Sequence, residues 1–191
     1  MELDSLHLDS LHLDSLHLDS LHLDLSSDLE VDVFIEISKN SHIKYEYDKE
    51  LKALICDRVL HTPFKYEFNY GFIPNTLSLD GDPIDVAVLM DDELLPGCYI
   101  KCKIIGVLET KDDQGDDPKL IMCPAKKVDP RYNRFNDIGD IHSSTLDKIK
   151  YFFEHYKDLE NKKVEVGKWL DKKAAIEIYK KSIENYNKNK S

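Results

Sequence analysis

A chain of 191 residues with 41% apolar and 33% charged residues suits one globular domain with a sizeable core, plus a short appendage. The net charge of −11 and the lack of a basic stripe argue against a general nucleic-acid binder. No apolar run is long enough to cross a bilayer, and no basic segment followed by an apolar stretch opens the chain.

The first 28 residues hold seven acids and no Lys or Arg, so the remainder carries 30 acids against 26 bases. This opening repeats LDSLH four times over residues 3–22. A period of five matches neither 3.6 nor 2, so the leucines form no stripe on a helix or a strand. Residues 1–28 therefore read as a low-complexity extension, disordered or loosely helical, and residues 29–191 as the domain. His7, His12, His17 and His22 with their neighbouring aspartates could capture a transition metal, but a tandem duplication without a role is the favoured reading.

From residue 31 the pattern becomes strand-rich. VFIEI (33–37), IKYEYD (43–48), ALICDRV (53–59), DVAVLM (85–90), YIKCKIIGVLET (99–110) and KLIMCPA (119–125) are β-branched or alternating runs, punctuated by Gly, Pro, Asn and Asp. Two helices follow. SSTLDKIKYFFEHYKDLE sets Leu146, Ile149, Phe152, Phe153, Tyr156 and Leu159 on one face, and Ser144 with Asp147 resembles a capping box. The second helix starts after Asp171, preceded by a last strand containing VGKW. Strands first and helices last predict a mainly β fold: a small closed barrel with two helices packed on its periphery. Cys56, Cys98, Cys102 and Cys123 form no C-x-x-C pair and read as buried free thiols.

Asp80, Asp82 and Asp85 fall within six residues in SLDGDPIDVAV, directly before an apolar run. Carboxylates that close repel one another unless something cancels their charge. Strand alternation puts Lys44, Glu46 and Asp48 on one face, and sets Arg58 on the face of Leu54 and Cys56, where a guanidinium needs an anion. That anion is either a ligand or an acid paired with it inside the barrel. Asp117 and Lys119 share a face if a strand begins there, whereas the parity of Glu36 is ambiguous. KDDQGDD (111–117) reads alone as an acidic hairpin tip, and Tyr66 and Tyr70 share a face if extended. No G-x-S-x-G, H-E-x-x-H or G-x-x-x-x-G-K-[ST] occurs, and DGDPID fails the EF-hand spacing. Carboxylates without imidazole or thiolate suit hard cations, magnesium or manganese ahead of zinc.

IKYEYD, NYGFIPNTLSLDGDPIDVAVL, DDQGDDPKL and FFEHYKDLE, in that order, resemble the signature segments of the family I soluble inorganic pyrophosphatases of prokaryotic type. The resemblance runs from about residue 31 to the end. It implies a five-stranded OB-like barrel, a homohexamer, a cytoplasmic location and hydrolysis of pyrophosphate to phosphate with several Mg2+ per site, Mn2+ serving as a substitute. By likeness, Asp80, Asp85, Asp117 and Asp112 are metal ligands, with Glu36 and Glu46 helping to hold the ions or their waters. Asp82 is the general base, acting on a metal-activated water that attacks in line with no covalent intermediate. Lys44, Arg58, Lys119, Tyr156 and Lys157 grip the phosphates beside Tyr70, while Tyr66 and Asp113 are peripheral. Glu67 stands where the family commonly has Pro, Gly167 lies two before Trp169 where members often have GW, and the repeat is foreign to the pattern. A non-catalytic cation or phosphometabolite sensor on the same barrel, or a purely structural barrel, are the rival readings.

Seven acids facing four cations would repel a polyanion of roughly three to four negative charges, taking phosphate second pKa values near 6. Divalent ions are therefore expected to be an electrostatic requirement.

Overall fold

The computed structural model describes residues 29–113 and 115–190. The repeat at 1–28 lies outside the described residues. The protein is mainly β, with nine strands and two C-terminal helices among the described residues.

Strand β1 (Glu30–Ile37) begins as an alternating strand, Val31 and Val33 inward and Glu30 and Asp32 outward. It pairs antiparallel with β6 (Tyr99–Asp112) through its first half and with β4 (Asn69–Phe72) through its second. Opposite β4 the register shifts between Ile35 and Ile37, leaving Glu36 as the extra residue of a bulge. The bulge sends Ile35 into one hydrophobic cluster and Ile37 into another, which is why the alternation of VFIEI gave no face for Glu36. Gly71 of β4 lies so close to β1 that an added Cβ would stand 1.8 Å from the Phe34 carbonyl oxygen. Only glycine permits that approach.

Strand β5 (Asp85–Val88) continues the order, antiparallel to β4 and parallel to β8 (Lys119–Pro124). β8 pairs with β6, so the pairings run β1–β4–β5–β8–β6 and return to β1. The two-residue β7 (Gly115–Asp116) closes a hairpin on the end of β6, and β9 (Glu165–Leu170) pairs along β6 as well. A separate two-stranded sheet joins β2 (Ile43–Asp48) to β3 (Ala53–Val59). Strands β2 and β3 have the bounds expected from their alternation. The four-residue β4, by contrast, was legible only as a motif.

Helix α1 (Ser143–His155) buries Ile149, Phe152 and Phe153 against an aromatic cluster. Phe152 meets Tyr66 at 4.8 Å between centroids, and Phe153 stacks on Phe68 at 5.4 Å. Truncating either ring to alanine is expected to cost about 3–5 kcal/mol. The expected Ser144–Asp147 capping box does not form. The helix starts earlier, with His142 as the cap, its side chain accepting from the Ser144 amide. Leu159 was expected on the buried face, but the helix ends at His155 and Leu159 is 63% exposed. Helix α2 (Lys172–Lys190) packs on β6 and starts where expected, Asp171 accepting from the Ala174 amide at 2.8 Å. All four cysteines are free, but only Cys102 and Cys123 are buried; Cys56 is exposed and Cys98 half-buried, contrary to the expectation of burial.

Candidate functional site: a carboxylate-lined cavity over β5 and β8

Parallel pairing of β5 with β8 sets Val86 against Leu120, so the residue before each, Asp85 and Lys119, meet at the same end of the sheet. The Lys119 ammonium lies 2.5 Å from Asp85 Oδ2 and also bonds Asp117, two residues back on its own face. Tyr70, reaching over from β4, donates to the same Asp85 oxygen at 2.7 Å. Asp117 is held in turn by its amide, which donates to the Thr110 carbonyl at 2.8 Å.

Lys119 is only 4% exposed. Burial pushes its ammonium towards the neutral form, but Asp85 and Asp117 together outweigh burial and hold it charged above its ordinary range. Burial raises the Asp117 carboxyl, opposed by Lys119. Burial likewise lifts the Tyr70 hydroxyl well above the usual tyrosine range, with the Asp85 charge second. Tyr70 is therefore a donor at neutral pH.

The loop before β5 forms the near rim. Gly81, at φ +93°, turns the chain so that the Asp82 amide donates to Asp80 Oδ1 at 3.0 Å. The Asp82 side chain is 71% exposed and faces Lys49 of the hairpin at 3.7 Å. Burial raises Asp80, with Asp85 and Asp82 adding to the shift.

The β2–β3 hairpin is a wall. Lys44 bonds Glu46 and reaches Asp57 at 3.5 Å. Arg58 donates from Nε to Glu160 at 2.9 Å and from Nη1 to Asp57. The pairing shifts between Lys44 and Tyr45, leaving Asp57, between Cys56 and Arg58 on β3, as a bulged residue opposite that step. This bulge overturns the expectation that Arg58 shares its face with Cys56: the cation turns to the cavity and the thiol to solvent. Behind the wall, Glu36 is almost buried and accepts from the Tyr47 amide at 2.7 Å. Burial pushes its pKa up to about 7, against the pull of that hydrogen bond. At the far side Lys157 approaches Asp112 at 3.5 Å and sits 5.4 Å from the Tyr156 ring centroid. Burial lowers Lys157 and raises Tyr156.

The thirteen residues expected to serve metal, phosphate or the attacking water, Glu36, Lys44, Glu46, Arg58, Tyr70, Asp80, Asp82, Asp85, Asp112, Asp117, Lys119, Tyr156 and Lys157, all border one cavity of about 490 Å³. Tyr66 borders it too and is buried, its neighbour Glu67 is exposed and does not border it, and neither does Asp113. Sequence reasoning missed Asp57, Lys49 and Lys162 on the lining and Glu160 behind Arg58. The bulge that turns Asp57 inward leaves no trace in alternation, and Glu160 had been read as part of the helix. It lies instead in a 3-10 turn, Asp158–Glu160. With these residues counted, the lining holds eight carboxylates against six cations, a smaller excess than the sequence implied.

The carboxylates are oxygen donors only, which suits a hard cation. Among the described residues no three acidic, histidine or cysteine side chains converge closely enough to enclose an ion by themselves. Asp85 and Asp117, already sharing one cation in Lys119, are the nearest to a ligand pair. That fits magnesium, which keeps several waters and takes one or two carboxylates together with substrate phosphates.

A family model described as inorganic pyrophosphatase matches residues 33–187. An inorganic pyrophosphatase of Helicobacter pylori is 51% identical over 155 residues, 81% of this chain and 90% of that protein. One of Nanoarchaeum equitans is 50% identical, covering 84% and 99%. Among solved structures, the Helicobacter pylori inorganic pyrophosphatase has a TM-score of 0.81 at 47% identity, covering 86% of this chain and 99% of that one. The Thermus thermophilus enzyme has a TM-score of 0.80 at 40% identity, covering 86% and 94%. With that match spanning the sheet, the hairpin and both helices, the chain belongs to the inorganic pyrophosphatases, in their family I prokaryotic-type form.

Proposed function

We propose that the chain hydrolyses inorganic pyrophosphate to two phosphates, using several magnesium ions per site for which manganese can substitute. The observation that carries this is the convergence of an oxygen-only acid cluster and the cations Lys44, Arg58, Lys119 and Lys157 on one small cavity. Family membership supports the same reading.

Asp85, Asp117, Asp80 and Asp112 would hold the metal, with Glu36 and Glu46 behind them. When bound, magnesium cancels carboxylate charge and makes a coordinated water more acidic. Asp82, the most exposed of the cluster and free of contact with Lys119, takes the proton of the attacking water. No serine, threonine, cysteine or histidine among the described residues lines the cavity, in keeping with in-line attack by water and no covalent intermediate. Lys44 and Arg58 from the hairpin, Lys119 from the floor, and Lys157 with Tyr156 from the far side orient the two phosphates and offset charge on the leaving oxygens. Tyr70 donates to Asp85 and fixes that carboxylate.

The same reading takes the returning run of strand pairings as an OB-like barrel of five strands, which β1, β4, β5, β8 and β6 support. It also includes a cytoplasmic homohexamer that meets neither nucleic acid nor membrane; no helix among the described residues is long and apolar enough to cross one. The decisive test is phosphate release from magnesium pyrophosphate by the wild type and by Asp82→Asn. Loss of turnover in Asp82→Asn with metal binding retained is expected. Metal binding without any phosphate release from the wild type would favour a sensor instead.

A further inference from the structure

Each cation that the proposed function assigns to phosphate is engaged by a carboxylate of the cavity: Lys44 by Glu46 and Asp57, Arg58 by Asp57 and by Glu160 behind it, Lys157 by Asp112, and Lys119 by Asp85 and Asp117. Lys119 is the extreme case. Its side chain is nearly sealed from solvent, and its ammonium bonds two carboxylates that the same reading assigns to metal. A dication coordinating Asp85 and Asp117 needs those oxygens at about 2.0–2.1 Å. The Oδ2 oxygens that now bond the ammonium would then be claimed by two cations at once. Two cations drawing on the same oxygens repel each other, and the lysine has a flexible four-carbon stem on which to leave.

We propose that Lys119 is a displaceable internal counterion, holding Asp85 and Asp117 together in the metal-free protein until the first divalent cation evicts it into the cavity. The evicted ammonium is then available to substrate phosphate. Metal loading thus creates a phosphate-binding group, and by linkage phosphate favours metal to the same degree. This inference rests on the function proposed above and adds an exchange step to it. A lysine that served phosphate alone would keep its ammonium in place, and protected from exchange, when metal binds without substrate.

Two measurements on the full chain test the exchange. The first is calorimetric titration of Mg2+ and Mn2+ without substrate. If Lys119 occupies the place nine-tenths of the time, the metal-competent fraction is about one-tenth, and Lys119→Met should bind the first ion about tenfold tighter. Lys162→Met removes one exposed charge from the same lining as a control and should change affinity within about twofold, because exposed charges are screened. The second needs no variant: nitrogen-15 spectra of the Lys119 ammonium, protected from exchange in chelator, should lose that protection on adding Mg2+ alone.

An affinity in Lys119→Met equal to or weaker than wild type would overturn the proposal. So would an equal gain in Lys162→Met, or an unchanged Lys119 signal at saturating Mg2+. If the wild type takes up no divalent ion and releases no phosphate from magnesium pyrophosphate, the function itself falls. If it does both and the Lys119→Met affinity is unchanged, only the exchange falls.

Discussion

On the floor of the cavity, Lys119 opens β8 in the returning run of sheet pairings and Asp117 stands two residues before it, its amide tied to the Thr110 carbonyl of β6; their side chains are 5% and 18% exposed. On the hairpin wall, Lys44 and Arg58 each keep 21% of their side-chain surface, and every residue of β2 is only half-buried. The residue types are the same; the means of support differ. Backbone register places the floor charges, whereas a two-stranded ribbon is marginal by itself and leans on side-chain contacts. Here those contacts are Arg58 with Glu160 and the Tyr47 ring against Phe34 at 5.2 Å. Rigid placement suits the fixed spacing that ions demand. A looser wall suits groups that follow a substrate and its products.

If that contrast is sound, Asp85→Ala should be the most damaging change. Turnover is expected to fall by about 10²–10³-fold, the scale of losing a preorganised electrostatic group. Metal affinity measured by calorimetry should fall with it. A floor variant that lost turnover but kept its metal would break the distinction. From the wall, Arg58→Lys discards the planar fork that engages Glu160 and Asp57. Its Michaelis constant should rise about tenfold, the scale of 1.4 kcal/mol of binding, with metal affinity unchanged.

Glu36 lies between the two regions and offers a pH test. Its folded pKa of about 7 exceeds the ordinary 4.5, so the folded protein binds the extra proton between those values. Stability from this group is complete below pH 4.5 and is lost as pH rises through about 7. In chelator, the melting temperature should therefore decline over that window, and Glu36→Gln should flatten the decline. An unaltered slope would mean that Glu36 is not the group responsible. The smallest effect is expected from deleting residues 1–28, none of which is assigned a role at the site. kcat/KM should stay within about twofold, as for changes away from functional features.

Much of this arrangement could be read from the chain, and the exceptions share a cause. β2 and β3 followed from alternation, α2 from its start after Asp171, and the Asp117–Lys119 pair from a spacing of two. The side of Glu36, the side of Cys56 and the inward turn of Asp57 did not follow, because each depends on a bulge. A bulge adds one residue on one strand and is defined only by the partner opposite, which a single strand's pattern does not contain. Leu159 failed for a related reason: the apolar spacing continues past the point where the backbone leaves the helix. The convergence of the site residues on one cavity is tertiary, and it was anticipated only through the family resemblance.

The in-phase start of β5 and β8 also bears on how the chain avoids misassembly. Sliding β8 by one position would bring Leu120 or Pro118 to where Lys119 meets Asp85; sliding it by two would bring Ile121 there or set Asp117 directly against Asp85 with no ammonium between them. Some errors strand a greasy side chain among carboxylates, and one opposes two like charges that are only partly exposed to water. The charges at this sheet end thus weigh against a slipped alignment by the same contacts that hold the observed one.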